Sequence, residues 1–344
     1  MKTSLLEQTL IDWIELPSVT GHEGDYADAL ARQLERFGFA VERQELEPGR
    51  FNVLAQAGKP QVIFCTHLDT VPPYYGHRID GDHIHGRGAC DAKGQAAAMA
   101  FAGAELLARG DDRVGFLFTV GEEDLSDGAK LANRSLADPW NPCYTIVGEP
   151  TGSRFVRGHK GLYHGVLHAH GVAGHSSQSI GPSAVHEILR AGVRALDADW
   201  GTHPLFGPAT LNLGVVEGGV APNVVADRAS LSFLLRAVET PDRVEARIAA
   251  CLGPHVEMEA VGNAYGPVEF LVPEGEPSDL VAFGTDAPHL PRWGTPLLFG
   301  AGSILDAHTD HEKVSRKELA ELVPRHVQTA SELLARLGSA PCNT

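Results

Sequence analysis

Acidic and imidazole side chains follow successive strand-like segments of this sequence. His67 and Asp69 lie at the end of VIFCTH, Glu122 and Glu123 follow VGFLFTVG, and Glu149 closes YTIVGE. The carboxyl ends of strands in an α/β sheet meet at the edge where such sheets bind ligands. Carboxylates and imidazoles form the ligand set that suits zinc, cobalt or manganese rather than calcium or a metal cluster. The pattern therefore predicts a metal site at this edge.

The spacing of His67 and Asp69 predicts how the histidine is oriented. Alternation at a strand end places both side chains on one side, so the Asp69 carboxylate is expected to accept the free ring N–H of His67. The other ring nitrogen would then point toward a metal. A histidine that is only hydrogen-bonded in the core produces the same tripeptide, so both interpretations stay open.

Asp91, the Glu122–Glu123 pair and His308 extend the set of candidate ligands. Asp91 lies in GRGACDAKG, between a glycine-rich loop and a predicted helix, where an ordinary N-cap is the alternative. Adjacent carboxylates at a buried strand end repel each other unless a cation or a proton compensates them, whereas on an exposed turn they need no compensation. His308 occurs in GAGSILDAHTDHEKV near the C-terminus.

Alternating helices and strands must position these residues, and this alternation predicts helices packed on a central sheet. The predicted helices are Leu5–Leu16, Asp25–Phe37 and Ala92–Arg109, and the predicted strands are Phe51–Ala57, Val62–His67, Val114–Val120 and Tyr144–Glu149. Near the C-terminus we expect a strand at Thr295–Gly300 and a helix at Arg316–Leu337. Pro324 is expected to kink or interrupt that last helix.

A different pattern begins at Gly161. Its order of elements is βαββαβ, which is typical of a self-contained ferredoxin-like unit. We therefore predict an α/β protein with two domains. Residues 1–160 and 267–344 would form a catalytic domain with a central mixed sheet flanked by helices, and residues 161–266 would form an inserted domain.

Composition excludes several classes of protein. The formal net charge of −16 would repel nucleic acid and anionic membrane surfaces. No apolar run is long enough to cross a bilayer, and the N-terminus is typical of an amphipathic helix rather than a signal peptide, so a cytoplasmic location is expected. The five cysteines include no C-x-x-C pair, which leaves carboxylates and the 17 histidines as metal ligands.

The ordered motifs resemble those of one enzyme family along nearly the whole chain. They are THLDTVP at Thr66–Pro72, GRGACDAKG at Gly86–Gly94, GEED at Gly121–Asp124, GEPT at Gly148–Thr151, and His308 followed by Glu312. The chain is similar to the dinuclear zinc deacylases and exopeptidases, which include acetylornithine deacetylase, succinyl-diaminopimelate desuccinylase and the glutamate-releasing carboxypeptidases.

This resemblance implies a role for each motif residue. The positions of His67 and Glu149 would bind one Zn²⁺, those of Glu123 and His308 the other, and Asp91 would bridge both, with Co²⁺ or Mn²⁺ as possible substitutes. Glu122 would be the general base, and Asp69 the carboxylate that orients His67. Three residues of the inserted domain would contact the substrate: His175, often in the active site of the partner subunit, and Asn223 and Arg236, which resemble residues that bind the substrate carboxylate.

The implied activity is metal-dependent hydrolysis of the amide bond of an N-acyl amino acid in amino-acid biosynthesis. The substrate would be free, as for acetylornithine deacetylase, or a lysine or ornithine linked to a carrier protein. Desuccinylase, dipeptidase or carboxypeptidase activity is an alternative, and so is a catalytically silent binding homologue. The resemblance also implies a homodimer formed through the inserted domain. Two departures from the family pattern are Gln178, where a proline often occurs, and His311, which could compete with His308 as a ligand.

Overall fold

The computed structural model describes residues 4–178 and 180–338, which form two compact units. The first unit contains the described residues up to Arg157, Glu269–Asp279, and the described residues from Thr285 onward. The second unit contains Gly158–Val268 and Leu280–Gly284. It therefore begins slightly before the predicted insertion at 161, ends slightly after 266, and takes in one further short segment.

The helices are α1 Leu5–Ile14, α2 Gly24–Arg36, α3 Lys93–Ala108, α4 Asp127–Arg134, α5 Ala184–Asp197, α6 Pro241–Cys251 and α7 Arg316–Leu337, with a short 3-10 helix at Ala287–His289. The strands up to residue 159 are β1 Ala40–Glu47, β2 Arg50–Gln56, β3 Val62–His67, β4 Arg78–Asp80, β5 His83–His85, β6 Val114–Thr119, β7 Tyr144–Val147 and β8 Phe155–His159. The later strands are β9 Gly161–His170, β10 Gly174–His175, β11 Thr202–His203, β12 Gly207–Pro208, β13 Thr210–Gly218, β14 Val224–Val225, β15 Arg228–Ala237, β16 Val256–Ala260, β17 Val268–Glu269, β18 Ser278–Val281, β19 Thr295–Leu298 and β20 Lys313–Ser315.

The first unit is organised around a six-stranded sheet in the order β1-β2-β6-β3-β7-β19. Strands β6, β3, β7 and β19 run parallel, whereas β1 and β2 are antiparallel to their neighbours. All residues of β3 and β6 are buried, as expected for parallel strands that are covered on both faces. The predicted α/β fold with a central mixed sheet flanked by helices is confirmed.

Most predicted elements of this unit occur within a few residues of their expected bounds, and β3 and α7 match them fully. Strand β1 was missed because AVERQELE is a polar segment at the sheet edge, where few of its side chains are buried. The expected interruption at Pro324 was wrong, since α7 continues through it. Packing of α7 against the core compensates for the missing backbone hydrogen bond.

The second unit contains an antiparallel sheet in the order β13-β15-β9-β16. Burial alternates along β9 and β15, so one face of the sheet packs on a core to which α5 and α6 contribute. Strand β13 is one edge of this sheet. Among the described residues, no helix is long and apolar enough to cross a membrane.

Candidate metal centre

Three neighbouring strands of the first unit bring most of the candidate ligands together. His67 is the last residue of β3, Glu149 lies two residues beyond β7, and Glu122 and Glu123 follow β6. Strand β3 pairs in parallel with both of the others, so the three carboxyl ends meet at one edge of the sheet. The continuous apolar sequences of β3 and β6 bury these strands and thereby fix where their polar ends emerge.

Asp91 lies between two histidines that are far apart in the sequence. Its Oδ1 is 2.9 Å from His67 Nε2, and its Oδ2 is 3.3 Å from His308 Nε2. Glu149 Oε2 is 3.9 Å from His67 Nε2, and Glu123 lies 3.0 Å from His308 Nε2. One potential ligand atom from each of His67, Asp91 and Glu123 lies within 4.8 Å of the other two. The structure therefore brings all five predicted metal ligands into one cluster.

His308 lies on a loop with an unusual backbone conformation. Its φ of 62° is in the left-handed region, which few residues other than glycine adopt. Tyr75 stabilises this loop, because its hydroxyl donates to the Thr309 carbonyl at 2.9 Å and accepts the Glu312 N–H at 3.1 Å. His311 instead pairs with the neighbouring Asp310 and is exposed. The structure thus places His308, rather than His311, beside Asp91.

Asp69 is completely buried beside this cluster and contacts His67 through both its main-chain carbonyl and its carboxylate. His67 Nδ1 is 2.9 Å from the Asp69 main-chain carbonyl and 3.5 Å from its carboxylate. The carboxylate also accepts the Thr20 hydroxyl at 2.8 Å and the main-chain N–H groups of Glu122 and Glu123 at 3.1 Å each. The Asp69 main-chain carbonyl is therefore the nearest oxygen to His67 Nδ1, and the carboxylate makes a longer ion-pair contact with the same nitrogen.

The main chain at Asp91 is bound by Glu312, which forms a buried ion pair with Arg87. The Oε1 atom of Glu312 accepts the N–H groups of Cys90 at 3.2 Å and Asp91 at 3.1 Å, and its Oε2 accepts from Arg87 at 2.7 Å. The N-cap of α3 is Ala92 and has no side-chain cap. The alternative interpretation of Asp91 as an ordinary N-cap is therefore wrong, and its carboxylate remains free to face the two histidines.

The charges of this cluster suit cations. Burial, followed by the nearby carboxylates, raises the pKa of Glu122 and of Glu149 well above the usual range. Hydrogen bonds to Asp91 and Glu123 raise the pKa of His308 to about 10. Several carboxylates therefore share only two imidazoles, and divalent cations would balance this excess of negative charge. The donor set fits two ions with oxygen and nitrogen ligands.

One buried acid near the site was missed from the sequence. Asp286 is only 3% exposed, and Thr119, the last residue of β6, donates to it at 2.6 Å. Burial raises the Asp286 pKa to about 6, and its Oδ1 has no hydrogen-bond partner. The segment VAFGTDAPHL carries no strand-end pattern that could have indicated this position.

The second unit places two of the three predicted substrate-contacting residues together. His175 ends β10, which pairs with β14, and the Ser176 N–H donates to the Asn223 carbonyl at 3.0 Å. Arg236 instead lies near the C-terminal end of β15, opposite Leu162 and Thr210. Strand β14 leads into the other end of β15, so the unit separates Arg236 from the His175–Asn223 pair.

Comparison with known proteins now identifies the family. A family model described as peptidase family M20/M25/M40 matches residues 63–332. The chain belongs to this peptidase family. The resemblance noted from the motifs is confirmed, and so is the predicted class of the enzyme, a metal-binding hydrolase of the metallopeptidase type.

Individual M20 proteins are similar along most of their length. A peptidase M20 domain-containing protein of Schizosaccharomyces pombe is 37% identical over 322 residues, which cover 90% of this chain and 80% of that protein. A probable carboxypeptidase of Aspergillus clavatus is 33% identical over 366 residues, covering 94% and 88%. The structure of Bacillus subtilis YXEP, described as a dinuclear metal-binding peptidase, has a TM-score of 0.70 at 16% identity and covers 96% of this chain and 97% of that one.

Proposed function

We propose that this M20 protein is a two-metal amidohydrolase that releases an amino acid from an N-acyl amino acid, free or linked to a carrier protein. His67 and Glu149 would hold one Zn²⁺, Glu123 and His308 the other, and Asp91 both. Co²⁺ or Mn²⁺ would be able to replace zinc. Two cations held there would supply Lewis acidity, which would lower the pKa of a bound water and polarise the amide carbonyl.

The position of Asp91 carries this proposal. Its two carboxylate oxygens lie at 2.9 and 3.3 Å from the imidazoles of two different histidines. A carboxylate that served a single cation would need only one of these neighbours. The further acid beside each histidine, Glu149 or Glu123, gives each cation its own set of one imidazole and one carboxylate.

Glu122 is the proposed general base. It takes a proton from the attacking water while the new C–O bond forms, and it returns that proton to the departing nitrogen as the C–N bond breaks. Its main-chain N–H is bound by Asp69, and burial raises its pKa well above the ordinary glutamate value. A raised pKa makes this carboxylate a stronger base toward the proton of the attacking water.

His175 is suited to stabilise the tetrahedral oxyanion. The Ser177 N–H donates to its Nδ1 at 3.2 Å, so the proton of the neutral imidazole lies on Nε2. Nε2 is then available to donate a hydrogen bond to a substrate oxygen, and such prepositioned donors commonly contribute a factor of roughly 100 or more to turnover.

We further propose that His175 and Asn223 act in the active site of a second copy of the chain, while Arg236 binds the substrate carboxylate in its own. The two groups lie toward opposite ends of β15, whose ten residues extend over about 30 Å at the usual rise per residue. A single amino-acid derivative is far shorter than this strand. A dimer would remove this difference in length, because one copy could supply Arg236 and the other His175 and Asn223 to the same substrate.

The second unit offers a surface for such pairing. Leu189, Val193 and Leu196 lie on one side of α5 and are 51%, 56% and 63% exposed. Strand β13 is a sheet edge and exposes Val215 and Val216. Two antiparallel β13 strands related by a twofold axis would extend the sheet across both copies and cover these apolar side chains.

A second candidate activity follows from the names of the relatives. The Aspergillus clavatus protein, at 33% identity, is a probable carboxypeptidase. A dipeptidase or carboxypeptidase would use the same ligands and the same base, because both reactions hydrolyse an amide bond beside an amino-acid carboxylate. The two activities differ only in the group on the acyl side of the bond.

A substrate panel separates these candidates. The zinc- and cobalt-loaded protein would be assayed with N-acetyl, N-succinyl and γ-glutamyl amino acids and with dipeptides. We expect the highest kcat/KM for an N-acyl amino acid, whereas a preference for peptides would establish the second candidate. Glu122→Ala should still bind metal but lose turnover. Hydrolysis by this variant at the wild-type rate would exclude the proposed mechanism, and an inactive wild type would favour the silent homologue.

Subunit complementation tests the shared site. His175→Ala and Glu122→Ala should each be inactive alone, and refolding them together should restore about a quarter of wild-type activity, because half of random dimers are mixed and each has one complete site. No recovery in verified mixed dimers would show that His175 acts in its own chain. Leu189→Glu should disrupt the dimer in light scattering, whereas the control Leu5→Glu, on a residue 69% exposed in α1, should not.

A further inference from the structure

Asp286 is a buried carboxylate that the proposed metal and base chemistry does not use. It directly precedes the 3-10 helix Ala287–His289 and is only 3% exposed. Its Oδ2 accepts the Thr119 hydroxyl at 2.6 Å, and the Ser126 side chain also hydrogen-bonds to the carboxylate. The Oδ1 atom has no hydrogen-bond partner.

The two hydroxyl residues lie on either side of the segment that carries Glu122 and Glu123. Thr119 ends β6, and Ser126 precedes α4 with a left-handed φ of 51°. The Ser126 N–H donates to the Gly121 carbonyl at 2.7 Å, which closes this segment into a compact loop. Asp69 binds the middle of the same loop through the N–H groups of Glu122 and Glu123.

We propose that Asp286 is a positioning residue for the hydrolytic reaction: by binding Thr119 and Ser126, it fixes both ends of the loop that presents Glu122 and Glu123. This inference rests on the roles proposed above for those two glutamates. A carboxylate suits the task because it accepts two hydroxyl hydrogen bonds at once, each strengthened by its charge. Burying that charge beside other acids is costly, and an apolar side chain would fill the same space at a lower cost.

Removal of the carboxylate should affect turnover and one metal site. In the metal-loaded enzyme, Asp286→Ala is expected to lower kcat at least tenfold, since small displacements of a catalytic group have effects of that order. KM should change less than kcat, because at saturating metal the loop affects the position of the base more than the binding of the substrate carboxylate, which is assigned to Arg236. Titration with Co²⁺ should show that the ion held by Glu123 binds more weakly than in the wild type, and its visible spectrum should change. Asp286→Asn keeps one acceptor oxygen and should be intermediate.

A double-mutant cycle tests whether Asp286 acts through the loop. Thr119→Val should lower kcat in the wild-type background and have no further effect in the Asp286→Ala background, because both changes break the same hydrogen bond. Thr145→Val is the matched control. It removes another buried threonine hydrogen bond, to the Trp293 carbonyl, near the start of β7, which β3 separates from β6, and should leave kcat unchanged.

Several results would overturn the proposal. A lower melting temperature for Asp286→Ala, with wild-type kcat and wild-type Co²⁺ titration, would mean that the residue is only structural. If Asp286→Ala weakened the binding of both Co²⁺ ions equally, the site as a whole would be disrupted. If Thr119→Val lowered kcat as much in the Asp286→Ala background as in the wild type, Thr119 and Asp286 would act independently. If wild-type protein hydrolyses no substrate of the panel, the proposed function fails. The Co²⁺ titration and spectrum then still decide whether Asp286 positions the loop.

Discussion

Replacing Glu312 by glutamine should strongly destabilise the protein. The carboxylate is buried, accepts the Arg87 guanidinium at 2.7 Å, and accepts the N–H groups of Cys90 and Asp91 with its other oxygen. Glu312→Gln leaves the buried Arg87 without a counter-charge, and removal of one partner of a buried ion pair typically costs about 3–5 kcal/mol. Arg87 keeps its contacts with the Pro73 carbonyl and the Tyr75 ring, so we expect a loss near the lower limit, about 3 kcal/mol.

The free energy of unfolding would be measured by urea denaturation of the metal-free protein, monitored by circular dichroism. The control is Asp279→Asn, which breaks the exposed ion pair with Arg154 on the surface and should leave the free energy of unfolding nearly unchanged. The double variant with Arg87→Met and Glu312→Gln should lose much less stability than the two single variants together, because no unpaired buried cation remains.

The same substitution should also impair catalysis, because the Glu312 carboxylate binds the main-chain N–H of Asp91. A glutamine offers a single oxygen to three donors, so at least one donor must face the amide NH₂ group. We expect kcat to fall at saturating metal. A Glu312→Gln variant as stable as Asp279→Asn, with wild-type kcat, would refute this account of the ion pair.

Three further predictions concern metal, acid stability and Asp69. Removal of metal by a chelator should lower the melting temperature and abolish activity, and a hundredfold excess of Zn²⁺ over the Kd should restore about 2.7 kcal/mol of stability for each site; a melting temperature insensitive to both treatments would contradict the site. Burial lowers the pKa of His326, whose two ring nitrogens have no partner, to about 3, so stability is complete above pH 6.5 and falls as the pH drops toward 3. Between pH 6.5 and 5, urea denaturation of His326→Leu should therefore show a loss about 1.6 kcal/mol smaller than that of the wild type, and equal losses would exclude this origin. Asp69→Asn places an NH₂ group against the N–H of Glu122 or Glu123 and should lower kcat by roughly tenfold or more at saturating Zn²⁺ in steady-state assays; an unchanged kcat would show that these bonds do not position the loop.

Sequence patterns determined the elements that carry the candidate site. The apolar runs VIFCTH and VGFLFT are typical of buried strands, and a parallel pair places their carboxyl ends at the same edge. His67, Glu122, Glu123 and Glu149 were therefore expected to lie near one another. The family motifs added Asp91 and His308, whose positions follow from no local periodicity.

Tertiary structure decided which atoms of these residues meet. The Asp69 carboxylate makes its shortest contacts with Thr20 and with two N–H groups of the loop after β6, and the oxygen nearest to the His67 ring is the Asp69 main-chain carbonyl. Asp286 and the Arg87–Glu312 pair join segments far apart in the chain, and their partners depend on how distant loops pack. Local sequence sets helix and strand periodicity over a few residues, whereas a hydrogen bond between residues 119 and 286 exists only once the sheet and its loops have assembled.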